Sequence, residues 1–166
     1  MDCWNFCISW ILKENHQEYN SSDFIFSTIF PSVSLVPKIW ILLIEFWYDV
    51  EIIHESEDIF INLNEDEIPL LEEYKNQLNE FINKWWKYFN NNITIELLQE
   101  KLKNYFCMIP IKKWEWSHLV IVKEINEDEV RLIDNKKWEY IITKEEFEDL
   151  ISLHNWKYVL FCKISK

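Results

Sequence analysis

The sequence contains no glycine and no alanine, and Arg131 is its only arginine. Average usage would place roughly 12 glycines in a chain of this length. Without glycine there is no glycine-rich loop to cradle a phosphate. With 17 basic residues against 29 acidic ones, the formal net charge is −12. That balance argues against nucleic acid and anionic membranes as partners, because both require basic patches. The four cysteines, Cys3, Cys7, Cys107 and Cys162, are too few and too scattered for a disulfide scaffold. No run of about 18 uncharged apolar residues is present, so no transmembrane helix is expected. Only Met1 and Asp2 precede Cys3, which leaves no room for a signal peptide and, with the sparse cysteines, predicts a reducing cytoplasm unless the N-terminus is truncated.

What fills the gap is Ile, Lys, Asn, Glu, Phe and Tyr, the residue bias of a very AT-rich coding sequence. That bias accounts for the missing alanine and arginine, but not for ten tryptophans. Several of these stand where glycine chemistry is expected. Trp47 ends the helical run PSVSLVPKIWILLIEF, and Trp85 and Trp86 end LLEEYKNQLNEFINK, at positions that favour a left-handed residue. Trp114, Trp116, Trp138 and Trp156 lie in short polar turns before strand-like runs. Glycine alone takes positive φ without a Cβ penalty. Trp10 and Trp40 fall inside helical patterns and are less diagnostic. The expectation is that most of these positions are glycine in the living protein, through an alternative genetic code in which UGA is read as glycine. The alternative is a genuinely tryptophan-rich protein with an aromatic carbohydrate-binding surface.

Along the chain the pattern predicts a helix over about 4–15, a short Ser-capped helix at SDFIFSTI, and a longer helix over about 33–46. YDVEII is a strand candidate. Residues 69–84 form an amphipathic helix, YFNNN reads as a loop, and Thr94 caps a helix over 95–105. The last third holds five strand-like runs, FCMIPI, HLVIVKEI, EVRLID, EYIIT and KYVLFCKI, interrupted by one helix whose capping box pairs Thr143 with Glu146. Helices first and sheet later within one domain, residues 1–166, predicts an α+β fold with N-terminal helices packed on a C-terminal antiparallel sheet.

The chemistry concentrates at three residues. Cys3 opens a helix, where the positive end of the macrodipole raises the thiolate fraction. Cys7 lies a turn further in, where that field has faded. A thiolate nucleophile needs a histidine beside it and a group to orient the ring. His16, His54 and His154 read as solvated loop histidines. His118 begins the most apolar strand, HLVIV, and Asp134 ends the next, RLID. A loop centred near Asn126 would set His118 and Asp134 directly opposite on one face. Cys3, Cys7 and His118 lack the second ligand pair of a zinc site, and paired acids such as Glu65, Asp66 and Glu67 read as solvated faces.

DC-x-x-x-C opening a helix, then Ser-His and three apolar residues, then Asp sixteen positions after the histidine, resembles the bacteriocin-processing (double-glycine leader) cysteine peptidases and their stand-alone papain-like relatives. The EFWY step into a strand is similar to that family's Phe-Gly step, and TKEEFEDL to its helix after the sheet. The resemblance covers most of the chain, with 54–92 as an apparent insertion. It implies a papain-like fold, Cys3 as nucleophile, His118 as general base and then acid, and Asp134 as the orienting carboxylate. It also implies attack on an amide of a peptide or protein substrate through an acyl-thioester, with no metal or cofactor. The family has glycine where Trp4 stands, beside the nucleophile and its oxyanion-binding backbone. It also has glycine where Ser117 stands, often proline where Asn135 stands, and an oxyanion-hole glutamine several residues before its cysteine, where this sequence has none. A non-catalytic papain-like binding or regulatory module is the alternative.

Overall fold

In a computed structural model the chain is described at residues 3–17, 41, 43–55, 69, 72, 75, 76, 79, 80, 83, 88–113, 116–153 and 158–165. Three helices are bounded within that set: α1 (Cys3–Glu14), α2 (Ile95–Leu102) and α3 (Lys144–Ser152). Seven strands follow the order β1 (Tyr48–His54), β2 (Tyr88–Asn90), β3 (Phe106–Lys113), β4 (Trp116–Ile125), β5 (Glu129–Asp134), β6 (Trp138–Thr143) and β7 (Tyr158–Ile164). They form one sheet ordered β2-β1-β7-β3-β4-β5-β6, antiparallel except that β2 runs parallel to β1.

The fold is therefore α+β, but its sheet is not confined to the C-terminal half. β1 adds to the edge of β7, with Tyr48 opposite Ile164 and His54 opposite Tyr158. Residues 88–90, expected as loop, are a strand on β1, because YFN supplies a short extended run beside Ile52 and Ile53. The expected insertion thus contributes an edge strand. The helical backbone at 69, 72, 75, 76, 79, 80 and 83 agrees with the amphipathic helix read over 69–84. The short helix at SDFIFSTI and most of the helix over 33–46 lie outside the described residues.

Helices cover both faces of the sheet, and this explains why its strands read as continuous apolar runs. On one face Cys7, Ile8, Ile11 and Leu12 of α1 pack with Ile41, Leu43 and Ile44 against Leu119, Ile121, Ile133 and Leu160. On the other, Ile95 and Leu98 of α2 and Phe147 of α3 pack against Val120, Val122, Val130 and Leu132. An antiparallel sheet with one wet face would alternate polar and apolar residues instead.

The helix ends are chemically specified. Thr143 and Glu146 form the expected capping box, and the Thr94 side chain accepts from Leu97 N–H. The C-terminus of α1 closes as Gln17 N–H reaches Leu12 O (2.9 Å) and His16 N–H reaches Lys13 O (3.0 Å), with His16 at φ 56°. Asn15 then donates to Tyr48 Oη at 2.9 Å, tying that end of α1 to β1. On the opposite face, α2 is pinned to β1 by Lys101, ion-paired with Glu51, and by Tyr105, whose hydroxyl donates to Glu51 at 2.7 Å.

The β4–β5 hairpin carries an irregularity that matters for the site. From the turn, where Asn126 N–H donates to Glu129 O, the ladder pairs Ile125 with Val130 and Glu124 with Arg131. Past the bulge it pairs Val122 with Leu132 and Ile121 with Ile133, so Lys123 is an extra residue on β4. One extra residue exchanges the two faces of everything beyond it. Lys123 also reaches Glu139 on β6 at 2.9 Å. The expected outcome is that Lys123→Ala costs at most about 1 kcal/mol, as for a surface ion pair. Deleting Lys123 turns apolar residues of β4 to the wrong sides and should cost on the order of 4 kcal/mol or more. Urea denaturation of the two variants measures the difference, and equal midpoints would refute the role given to the bulge.

Candidate active site

His118 and Asp134 are brought together. His118 Nε2 stands 3.5 Å from Asp134 Oδ2, with the histidine side chain 10% exposed and the carboxylate fully buried. The pairing is not the direct one expected. With Ile121 opposite Ile133, Asp134 falls level with Val120, so His118 is a diagonal neighbour two residues on. Diagonal neighbours share a face and are within reach of long side chains. The three-residue connection at 126–128 is centred beyond Asn126, and the bulge restores the parity that the shifted turn would have lost. Among the described residues the β4–β5 ladder stops at Ile121–Ile133, so His118 lies past the end of β5 and its ring meets Asp134 there.

Asp134 is held by more than the histidine. Its Oδ1 accepts from the backbone N–H of Lys136 at 2.5 Å and of Lys137 at 2.6 Å, an Asx-type turn that starts the β5–β6 connection. Tyr140, on β6, lies near the same carboxylate. Burial first, and then the charge and hydrogen bond of Asp134, push the Tyr140 phenol up to about 12. Tyr140 and the two amides were missed at the level of sequence. The turn DNKK carried a signal for the amides, since Asp before a polar turn commonly bonds the backbone two residues on.

Helix α1 reaches the same end of the sheet. The Cys7 thiol donates to Leu119 O at 3.7 Å, next to His118, and the Phe6 ring lies 5.7 Å from that of Trp138, the register partner of Asp134. The first turns of α1 thus touch β4 at Leu119 and the start of β6 at Trp138, while by strand register His118 and Asp134 fall with Ile111 and Val120 on the other face. Cys3 lies one helical turn before Cys7, about 6 Å along the axis. Of the four thiols, Cys7, Cys107 and Cys162 are buried and Cys3 is partly exposed. Burial pushes the Cys107 and Cys162 thiols up, which keeps them protonated and unreactive. Trp4 is helical in the first turn of α1, and its side chain is outside the described residues, as is Asp2.

His54 corrects an expectation. It is not a solvated loop histidine but a buried one, 1% exposed and stacked on Tyr158 at 6.2 Å. The β1–β7 register sets those two rings opposite, and the acidic neighbours in sequence give no hint of it. His16 is exposed as expected, and His154 is outside the described residues. Among the described residues no group of three or more His, Cys, Asp or Glu side chains is placed to hold a metal ion. A cavity of about 220 Å³ between α2 and α3, lined by Glu55, Thr94, Glu96 and Glu148 among others, includes none of Cys3, His118 and Asp134.

Compared with known proteins, the chain matches no family model and no curated protein. No helix among the described residues is long and apolar enough to cross a membrane.

Two expectations concern Asp134 and the buried phenols. Asp134→Ala leaves the amides of Lys136 and Lys137 without their acceptor and should cost about 1–3 kcal/mol in urea denaturation, whereas Asp134→Asn, which keeps an acceptor oxygen, should cost less. The second concerns Tyr48 and Tyr140, both pushed up to about 12. A phenol with a raised value in the fold stabilises it fully below the unfolded value near 10 and loses that stabilisation as pH climbs through 12. Stability should fall between those limits, and Tyr140→Phe should flatten the fall; an unchanged profile would contradict the assignment.

Proposed function

We propose that this protein is a cysteine-dependent hydrolase of papain-like type, a peptidase acting on an amide bond of a peptide or protein. The observation that carries the reading is the buried His118–Asp134 pair at the end of the sheet, one residue along β4 from Leu119, whose carbonyl accepts from Cys7 of α1. Cys3, which opens α1, is the one thiol of the chain that is not buried. Asp134 Oδ2 lies 3.5 Å from Nε2, and in this reading Nδ1 of His118 is the nitrogen that takes the thiol proton. His118 takes the proton of Cys3, and the thiolate adds to the substrate carbonyl. Collapse of the tetrahedral species expels the amine, which receives the proton from His118, and leaves an acyl-thioester on Cys3. Water, deprotonated by His118, then releases the acid and restores the thiol. The start of α1 favours negative charge on sulfur and on the developing oxyanion.

One observation favours a second reading, a papain-like binding or regulatory module without turnover. Asp134 already organises the β5–β6 turn through two backbone amides, so its presence is accounted for without catalysis.

A thiol-directed activity probe separates the two. For the hydrolase, labelling is expected in the intact protein, absent in Cys3→Ala, retained in Cys7→Ala, and slowed roughly 10²–10⁴-fold in His118→Ala. Labelling that survives Cys3→Ala, or no labelling of a folded protein, would overturn the hydrolase in favour of the module.

A further inference from the structure

Among the described tryptophans, Trp47 and Trp138 differ from Trp10 in backbone conformation and in packing. Three residues among those described have positive φ: His16 at 56°, Trp47 at 67° and Trp138 at 65°. Histidine is one of the side chains enriched in the left-handed region, but an indole on Cβ has no such accommodation. Both tryptophans sit where the backbone asks for glycine by geometry. Trp47 follows the helical residues 43–45, donates its N–H to Ile44 O at 2.9 Å, and accepts from Ser165 N–H at 2.7 Å as β1 begins. It is the left-handed residue that ends a helix and turns the chain into a strand. Trp138 follows the three-residue connection 135–137 and is paired with Asp134. A left-handed residue after such a loop is the glycine position of a bulged hairpin.

Neither indole repays that conformation by burial: Trp47 is 76% exposed and Trp138 is 66% exposed. Trp10 is the contrast. It lies inside α1, partly buried, with its ring edge-on to Phe106 at 6.0 Å. Glycine there would weaken the helix and remove a packed ring.

We infer that positions 47 and 138 carry glycine in the cell and position 10 carries tryptophan, so that one codon is read as glycine while the ordinary tryptophan codon is kept. At position 138 the exchange has a consequence for the candidate site. Trp138 faces Phe6 of the helix that carries Cys3, and glycine in its place removes the indole from the β5–β6 side of Phe6. The inference itself rests on backbone geometry and holds whether or not Cys3 is a nucleophile.

Two measurements test it. The coding sequence is expected to show UGA at 47 and 138 and UGG at 10, with peptide masses of the protein from its native cells showing glycine, glycine and tryptophan at those positions. UGG at 47 or 138, or glycine at 10, overturns it. Independently, Trp47→Gly and Trp138→Gly in protein made as written should each raise the folding equilibrium constant by roughly tenfold, the size of a relieved left-handed residue. Trp10→Gly should lower it. A loss of stability at 47 or 138, or a gain at 10, contradicts the division.

Discussion

Which side chains can meet in this sheet is decided by a parity. Residues opposite one another on antiparallel strands project to the same face, so the sum of their numbers fixes which face each belongs to. Near the β4–β5 turn Glu124 meets Arg131, and past the bulge Val122 meets Leu132. Had the turn register continued unbroken, Asp134 would stand level with Ile121, and His118 would point away from it. The extra residue Lys123 puts the histidine and the carboxylate on a common face, by register that of Ile111 and Val120. The same shift sorts Leu119, Ile121 and Ile133 toward α1, and Val120, Val122, Val130 and Leu132 toward α2 and α3. The two cores and the candidate site therefore depend on one local distortion.

Much of this architecture was legible in the sequence. Strand runs, the Thr94 and Thr143 caps and the helical start at Cys3 are local signals, and local chemistry settled them. The pairing of His118 with Asp134 was legible in outcome but not in route. Equal strand lengths about Asn126 suggested a direct opposition, whereas the structure reaches a diagonal contact through a displaced turn and a bulge. Lys123 and Glu124 are polar and exposed, so no break in apolar periodicity marks the extra residue. The burial of His54 and the strand at 88–90 were hidden for another reason. Both depend on the neighbouring strand, β7 for the one and β1 for the other, far away in sequence.

The acidic composition is reconciled with a sheet buried on both faces by placing charge at its margins. Arg131 pairs with Glu139 at 3.0 Å and Glu124 at 3.5 Å, and Lys123 meets Glu139, which holds the Glu139 carboxyl below its ordinary range. These are exposed pairs of small energetic weight. Glu51 is different, since it lies partly buried under α2 and is met by Lys101 and Tyr105 together. That arrangement anchors α2 without requiring a further apolar contact on β1.

The double employment of Asp134 bears on how such a protein would age. A carboxylate that closes a hairpin is kept by the demands of folding whether or not it also serves chemistry. Its survival in a descendant would thus be poor testimony to turnover. Cys3, only partly covered, is bound less tightly by packing than Asp134 and is the more informative of the two positions.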